Sequence, residues 1–117
     1  MNSKTKGKRF ELECAKLLSE VLGTEVRRTA QYCGKGGTAD LVIPALPRLH
    51  TECKRRRESV TPDQAQHFDD QSERDREADS VPWSVHRADN APVLCTVRAE
   101  HLKPLCRMLA VHWGWCA

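Results

Sequence analysis

The sequence predicts a single α/β domain in which a β-sheet is flanked by helices. Three observations point there. Apolar residues recur at helical spacing over residues 7–22, and Leu41-Val42-Ile43 is followed, past Pro44 and Pro47, by a strand-like run over residues 49–55. Residues 81–87 and 93–97 then form a second pair of strand-like runs around the turn Ala88-Asp89-Asn90-Ala91-Pro92. At 117 residues the chain can bury one core but not two, which excludes a two-domain enzyme.

Residues 1–6 are polar and lysine-rich and are expected to form an arm that is either flexible or ordered by DNA. In the first helix, residues 7–22, the apolar set is Phe10, Cys14, Leu17, Leu18, Val21 and Leu22, and Gly23 supplies the stop. Glu11 borders the apolar stripe, whereas Glu13 and Glu20 lie on the far polar face. Residues 24–29 read as a short first strand and residues 30–38 as a glycine-rich loop leading to Asp40. Its glycines match no nucleotide-binding fingerprint, so the loop is a turn and not a phosphate cradle. Neither Pro44 nor Pro47 can sit inside a central strand, so the next two strands pair as a hairpin.

Further on, Thr61, Pro62 and Gln64 mark a helix start as N-cap, first helical residue and capping-box partner. This helix is expected to run to about residue 78, acidic and largely exposed, with only Ala65, Phe68 and Ala78 as apolar residues. A last helix is expected over residues 100–109, with Pro104 in its first turn. The chain closes on VHWGWCA, whose Trp113 and Trp115 either complete the core or form a protein interface, together with Leu102, Leu105, Leu109 and Val111. There are no internal repeats.

Charged residues make up 30% and aromatics 5%, and no apolar run approaches the ~20 residues of a membrane span. The basic N-terminus leads into no apolar stretch of the kind a secretory signal needs. A cytoplasmic location, in a bacterial or phage-infected host cytosol, and no membrane partner are therefore expected. Of the six cysteines none forms a C-x-x-C pair, and Cys14, Cys53 and Cys95 fall in expected helix or strand, so all six are read as reduced thiols. The net charge of +3 is unevenly divided: residues 1–57 hold 13 Lys or Arg against 6 Asp or Glu, and residues 58–117 hold 6 against 10. Phosphate is expected to approach the basic half.

That half also carries the chemistry. Strand alternation places Glu52 and Lys54 on one face of the second hairpin strand and Thr51 and Cys53 on the other. An antiparallel partner can bring the Asp40 carboxylate beside Glu52, a site for a hard cation. Asp40 followed after a hairpin by Glu52-Cys53-Lys54 resembles the Asp...Glu-x-Lys core of the PD-(D/E)xK nuclease superfamily. Lys6-Gly7-Lys8-Arg9-Phe10-Glu11 resembles the Gly-x-x-x-Glu opening helix of archaeal-type Holliday junction resolvases and their small phage relatives. Gln71 falls in the helix after the Glu-x-Lys strand, and Val81-Pro82-Trp83-Ser84-Val85-His86-Arg87 resembles the later strand of those phage proteins. The resemblance spans most of the chain. Ala39 stands where the superfamily name has proline, at a position without a ligand role.

The resemblance implies a restriction-endonuclease-like mixed β-sheet flanked by α-helices, and a metal-dependent DNA endonuclease selective for branched DNA. Glu11, Asp40, Glu52, Lys54 and Gln71 are the expected catalytic residues. Mg²⁺, with Mn²⁺ as substitute, would be held by Asp40, Glu52 and the backbone carbonyl of Cys53. Glu11 would complete a second metal site or an outer shell, and Lys54 would act as base or orient water or phosphate. Lys8, Arg9, Tyr32, Lys35, Arg55, Arg56 and Arg57 are the expected DNA contacts, with Arg56 on the catalytic face by alternation. The resolvases it resembles act as dimers, so a homodimer is expected. Two rivals remain: a DNA-binding module of the same fold that has lost cleavage, and a thiol or zinc regulatory protein using the cysteines.

Overall fold

The computed structural model describes residues 3–29, 39–56, 62, 66, 70 and 79–115. Helix α1 (Ser3–Leu22) is followed by strands β1 (Arg27–Arg28), β2 (Leu41–Val42), β3 (Leu49–Arg56), β4 (Val81–Ala88) and β5 (Leu94–Thr96). A 3-10 turn (Ala99–His101) then leads into helix α2 (Leu102–His112). The five strands form one sheet in the order β1-β2-β3-β4-β5. Three of the four pairings are antiparallel, and the central pair β3–β4 is parallel, which makes the sheet mixed as the resemblance implied. A parallel pair needs a crossover. Pro62, Gln66 and Asp70, four residues apart within that crossover, are helical; most of the helix expected over residues 61–78 lies outside the described residues.

α1 begins at Ser3, four residues earlier than the start at residue 7 expected from apolar spacing. Nothing between Ser3 and Phe10 breaks a helix except Gly7, whose cost of about 1 kcal/mol the surrounding good helix formers absorb. Phe10, Cys14, Leu18 and Leu22 are buried, each four residues after the last, while Leu17 and Val21 are 37% and 59% exposed. The buried set is thus an i, i+4 ridge with the small Ala15 beside it, also buried. Leu17 and Val21 fall off that ridge and face solvent, which corrects the broader apolar face read from periodicity. Gly23 ends the helix as expected, with φ of 69° and its N–H donating to Ser19 O at 2.9 Å.

The hairpin of the sequence reading is present, with Leu41 opposite Thr51 across β2 and β3. β3 and β4 pair along their whole length, from Leu49 opposite Val81 to Arg56 opposite Ala88. On one face of this central pair Leu49, Cys53, Val81, Trp83 and Val85 join the α1 ridge in the core, and Trp83 Nε1 donates to Thr51 Oγ1 at 2.6 Å. Parallel strands buried on both faces are usually apolar on both. Here the second face is polar yet still buried: His50, Glu52, Ser84 and His86 are all at most 5% exposed. Buried polar side chains need partners, and that face holds the site.

α2 docks by Leu105, which is buried, with Met108, Leu109 and Trp113 packed against the core. Pro104 is its third residue, within the first turn. At its end His112 Nε2 and Trp113 Nε1 both bond the carbonyl of Leu22, at 2.8 and 3.1 Å, tying the last residues of α2 to the end of α1. Trp113 therefore closes the core, whereas Trp115 is 75% exposed and rests against the Trp113 ring at 5.0 Å. Trp113→Ala is expected to lower unfolding stability by about 2–4 kcal/mol, and Trp115→Ala by less than about 0.5 kcal/mol, as read from urea denaturation. Equal losses would contradict this division.

Candidate active site

Asp40 sits directly before β2, and its main chain is fixed from both sides. Its N–H donates to Thr51 O and its carbonyl accepts from Thr29 N, both at 2.9 Å, so the residue bridges β3 and the chain after β1. Its side chain turns to β3, where Oδ2 accepts the Cys53 N–H at 2.8 Å. Glu52 is 4% exposed on the polar face of β3, and its carboxyl shares a hydrogen bond with that of Asp40. Two acids in one buried space resist simultaneous ionisation. Burial, then the Glu52 charge and the shared hydrogen bond, push the Asp40 carboxyl up to about 7 against the opposing pull of the Cys53 N–H and Lys54.

Lys54, two residues beyond Glu52 and half-buried, lies on the same strand face. Glu11 reaches this group from α1: its carboxyl is raised by burial and by the Asp40 charge, and lowered by Arg28 and by Lys54. Arg28 Nε donates to Glu11 Oε2 at 2.8 Å. The fold thus gathers Glu11, Asp40 and the Glu52–Lys54 pair, from three separate stretches of the chain, into one electrostatic group. Gln71, Tyr32, Lys35 and Arg57 lie outside the described residues. Lys8 and Arg9 are exposed on α1, as are Arg55 and Arg56 at the end of β3. Arg55 is engaged, its Nε 3.2 Å from Asp89 Oδ1.

Two residues of the group went unnoticed in the sequence. Arg28 had no signal beyond its place in a basic dipeptide. His50 did have one, since a residue two before Glu52 on a strand must share its face. His50 Nε2 lies 2.8 Å from Glu52 Oε1, with both side chains about 5% exposed or less. The thiols are bland by comparison. Cys14 and Cys53 are buried, and Cys53 is pushed far above the usual thiol range by its hydrogen bond to Cys14 and by burial, which makes it a poor nucleophile. Cys95, in β5, is exposed.

The donor set suits a hard divalent cation. Both acids are oxygen donors, and their crowding, visible in the raised Asp40 carboxyl, is the kind of repulsion a cation relieves. Among the described residues no three His, Cys, Asp or Glu side chains converge as a metal cluster. The same holds for the cysteines as a zinc site among those residues. A cation here would take two carboxylates, a main-chain oxygen, water and phosphate, as Mg²⁺ commonly does.

Comparison with known proteins bears on the same residues. The family model described as phage putative PDDEXK endonuclease matches residues 2–105, which include both hairpins and all four members of the gathered group. The chain belongs to this family. Its members are endonucleases by that description, and the chain is accordingly a nuclease. Among solved structures it is similar to Archaeoglobus fulgidus Hjc, a Holliday junction resolvase from an archaeal hyperthermophile. That match has 19% sequence identity and a TM-score of 0.52, and covers 79% of this chain and 72% of that one. It shows a shared restriction-endonuclease-like fold. No curated protein matches the chain. Among the described residues no helix is long and apolar enough to cross a membrane.

Proposed function

We propose that the chain is a divalent-cation-dependent endodeoxyribonuclease selective for branched DNA, acting as a homodimer. The observation that carries this reading is the buried Asp40–Glu52 carboxyl pair with Lys54 on the same strand face. The cation, Mg²⁺ or Mn²⁺ in its place, supplies a Lewis acid that stabilises charge developing on the scissile phosphate. Asp40 and Glu52 would hold it with the Cys53 carbonyl. Asp40 is fixed by the Thr51 and Thr29 main chain and by the Cys53 N–H, so this ligand arrives pre-oriented. Lys54 orients the attacking water or a phosphate oxygen. Glu11, held by Arg28, belongs to the outer shell, and Gln71 orients Lys54 or the scissile phosphate.

The DNA contacts are Lys8, Arg9, Tyr32, Lys35, Arg55, Arg56 and Arg57, most of them cations that track the backbone with slight sequence preference. Affinity is expected to fall by about 10³-fold between 50 and 200 mM salt if six cations displace counterions. Arg55 must leave Asp89 to take part, which weakens its share. Binding that barely changes over this range would remove the basic half as the docking surface.

Branched-DNA selectivity draws on the fold shared with a resolvase and on geometry. One protomer carries one site, and two symmetric cuts in a four-way junction need two. Leu102, Val111 and Trp115, exposed on and beyond α2, offer apolar surface for that pairing. The deciding experiment is a cleavage panel of four-way junction, flap, nicked duplex and linear duplex, with light scattering over a dilution series. A dimer that cuts junctions fastest is expected. A strict monomer that cuts junctions no faster than duplex would end the resolvase reading and leave a general nuclease.

A further inference from the structure

We propose that His50 is a positioning residue for the ligand carboxylate Glu52, and that cation affinity at this site depends on it. The inference rests on the nuclease reading above. It concerns a residue that lies outside the Asp...Glu-x-Lys pattern.

His50 Nε2 lies 2.8 Å from Glu52 Oε1, and since a carboxylate that holds a cation can only accept hydrogen bonds, the ring is the donor in that state. Both side chains are buried, at 5% and 4% exposure, so neither exchanges this partner for water. A glutamate has three side-chain torsions, and the last, the rotation of the carboxylate plane, is broad and poorly fixed by its own rotamer. The bond to His50 fixes it. With Oε1 tied to the ring, the second oxygen is the one left to take a cation.

His50 is itself rigidly held. It lies on β3 two residues before Glu52, its main chain opposite Pro82 in the parallel ladder. Strand alternation gives it the Glu52 face. The contact is therefore built by register and not by a flexible loop. A metal-binding carboxylate commonly has such an outer partner, whose removal costs about 10–100-fold in metal affinity or activity.

The test compares His50→Phe, which keeps ring bulk without a donor, with His50→Gln. The Gln Nε2 is the same number of bonds from Cβ as the His Nε2 and can donate to Oε1. Mn²⁺ is titrated directly into each metal-free protein and followed by the electron paramagnetic resonance of the free ion. The Mg²⁺ dependence of cleavage is measured in parallel, with circular dichroism as the folding check. His50→Phe is expected to weaken Mn²⁺ binding about 10-fold or more and raise the Mg²⁺ needed for half-maximal cleavage by the same factor, with a smaller change in rate at saturating Mg²⁺. His50→Gln is expected to recover most of the affinity. Wild-type Mn²⁺ affinity in folded His50→Phe overturns the proposal, and so does equal loss in folded Phe and Gln variants. Asp40→Ala in the same titration separates the two readings: if it alone abolishes Mn²⁺ binding, the site stands and only the role of His50 falls. Should Asp40→Ala bind Mn²⁺ like wild type, the nuclease site is misplaced and the His50 proposal falls with it.

Discussion

Asp40→Ala and Glu52→Gln are each expected to reduce Mg²⁺-dependent cleavage by about 10³-fold or more. A bound cation contributes several kcal/mol of transition-state charge stabilisation, and each 1.4 kcal/mol, roughly, is tenfold in rate. Glu52→Gln is preferable to alanine, because a Gln carbonyl can still accept from His50, whereas alanine would strand a buried ring at a cost of about 1–3 kcal/mol. Lys54→Ala is expected to abolish cleavage as well, since Lys54 shares the strand face of Glu52 and orients the attacking water or a phosphate oxygen in the proposed reaction. Glu11→Ala is expected to be milder, as Glu11 is already engaged with Arg28. All four should fold, which circular dichroism checks. Wild-type rates in Asp40→Ala and Glu52→Gln would mean that this carboxyl pair is not the reaction centre.

The same crowding gives the second large effect, on stability. The Asp40 carboxyl lies at about 7 in the folded chain against 3.8 as its ordinary value, so folding binds a proton across that interval. Its contribution is fully present below about 3.8 and is lost as pH rises towards 7, leaving the metal-free protein strained at pH 8 by two buried, mutually repelling acids. Glu11, also raised, acts in the same sense. His86, lowered by burial, acts oppositely, losing its contribution as pH falls through its titration range. A comparison of variants at each pH cancels His86. Asp40→Asn keeps an acceptor for the Cys53 N–H and removes the charge, so its Tm at pH 8 is expected to exceed that of metal-free wild type by several degrees, at about 4–8 °C per kcal/mol for a small domain. At pH 4 the two should nearly coincide. Saturating Mg²⁺ at pH 8 should raise the wild-type Tm and leave Asp40→Asn almost unmoved. Thermal unfolding across pH 4 to 8, with and without Mg²⁺, reads all of this, and a wild type more stable than Asp40→Asn at pH 8 without metal would contradict the placement of the two acids.

Features set by a few adjacent residues are legible in the sequence. Strand alternation has a period of two whatever lies around it, so Glu52 and Lys54 had to share a face, and Pro44 and Pro47 had to end one strand before the next began. The stop at Gly23 and the place of Pro104 in the first turn of α2 follow from the backbone freedom of one residue and the missing donor of the other. These are properties of a few adjacent residues, and no tertiary contact is needed to impose them.

Properties that depend on which distant segment lies opposite were not legible. The periodicity of α1 could not tell Leu17 and Val21 from Leu18 and Leu22, because the angle at which the helix crosses the sheet chooses the buried ridge. The two tryptophans of the tail are alike in sequence and differ in the fold, where Trp113 reaches the carbonyl of Leu22 and Trp115 does not. Glu11 and Arg28 meet only because α1 and β1 pack together. The crowding that lifts the Asp40 carboxyl exists only once Thr29 and Thr51 hold its main chain from either side. The sequence by itself determined which residues could form the site and the strand face they share; the tertiary structure decided their burial, their partners and their protonation, because those depend on contacts between segments that chain order does not specify.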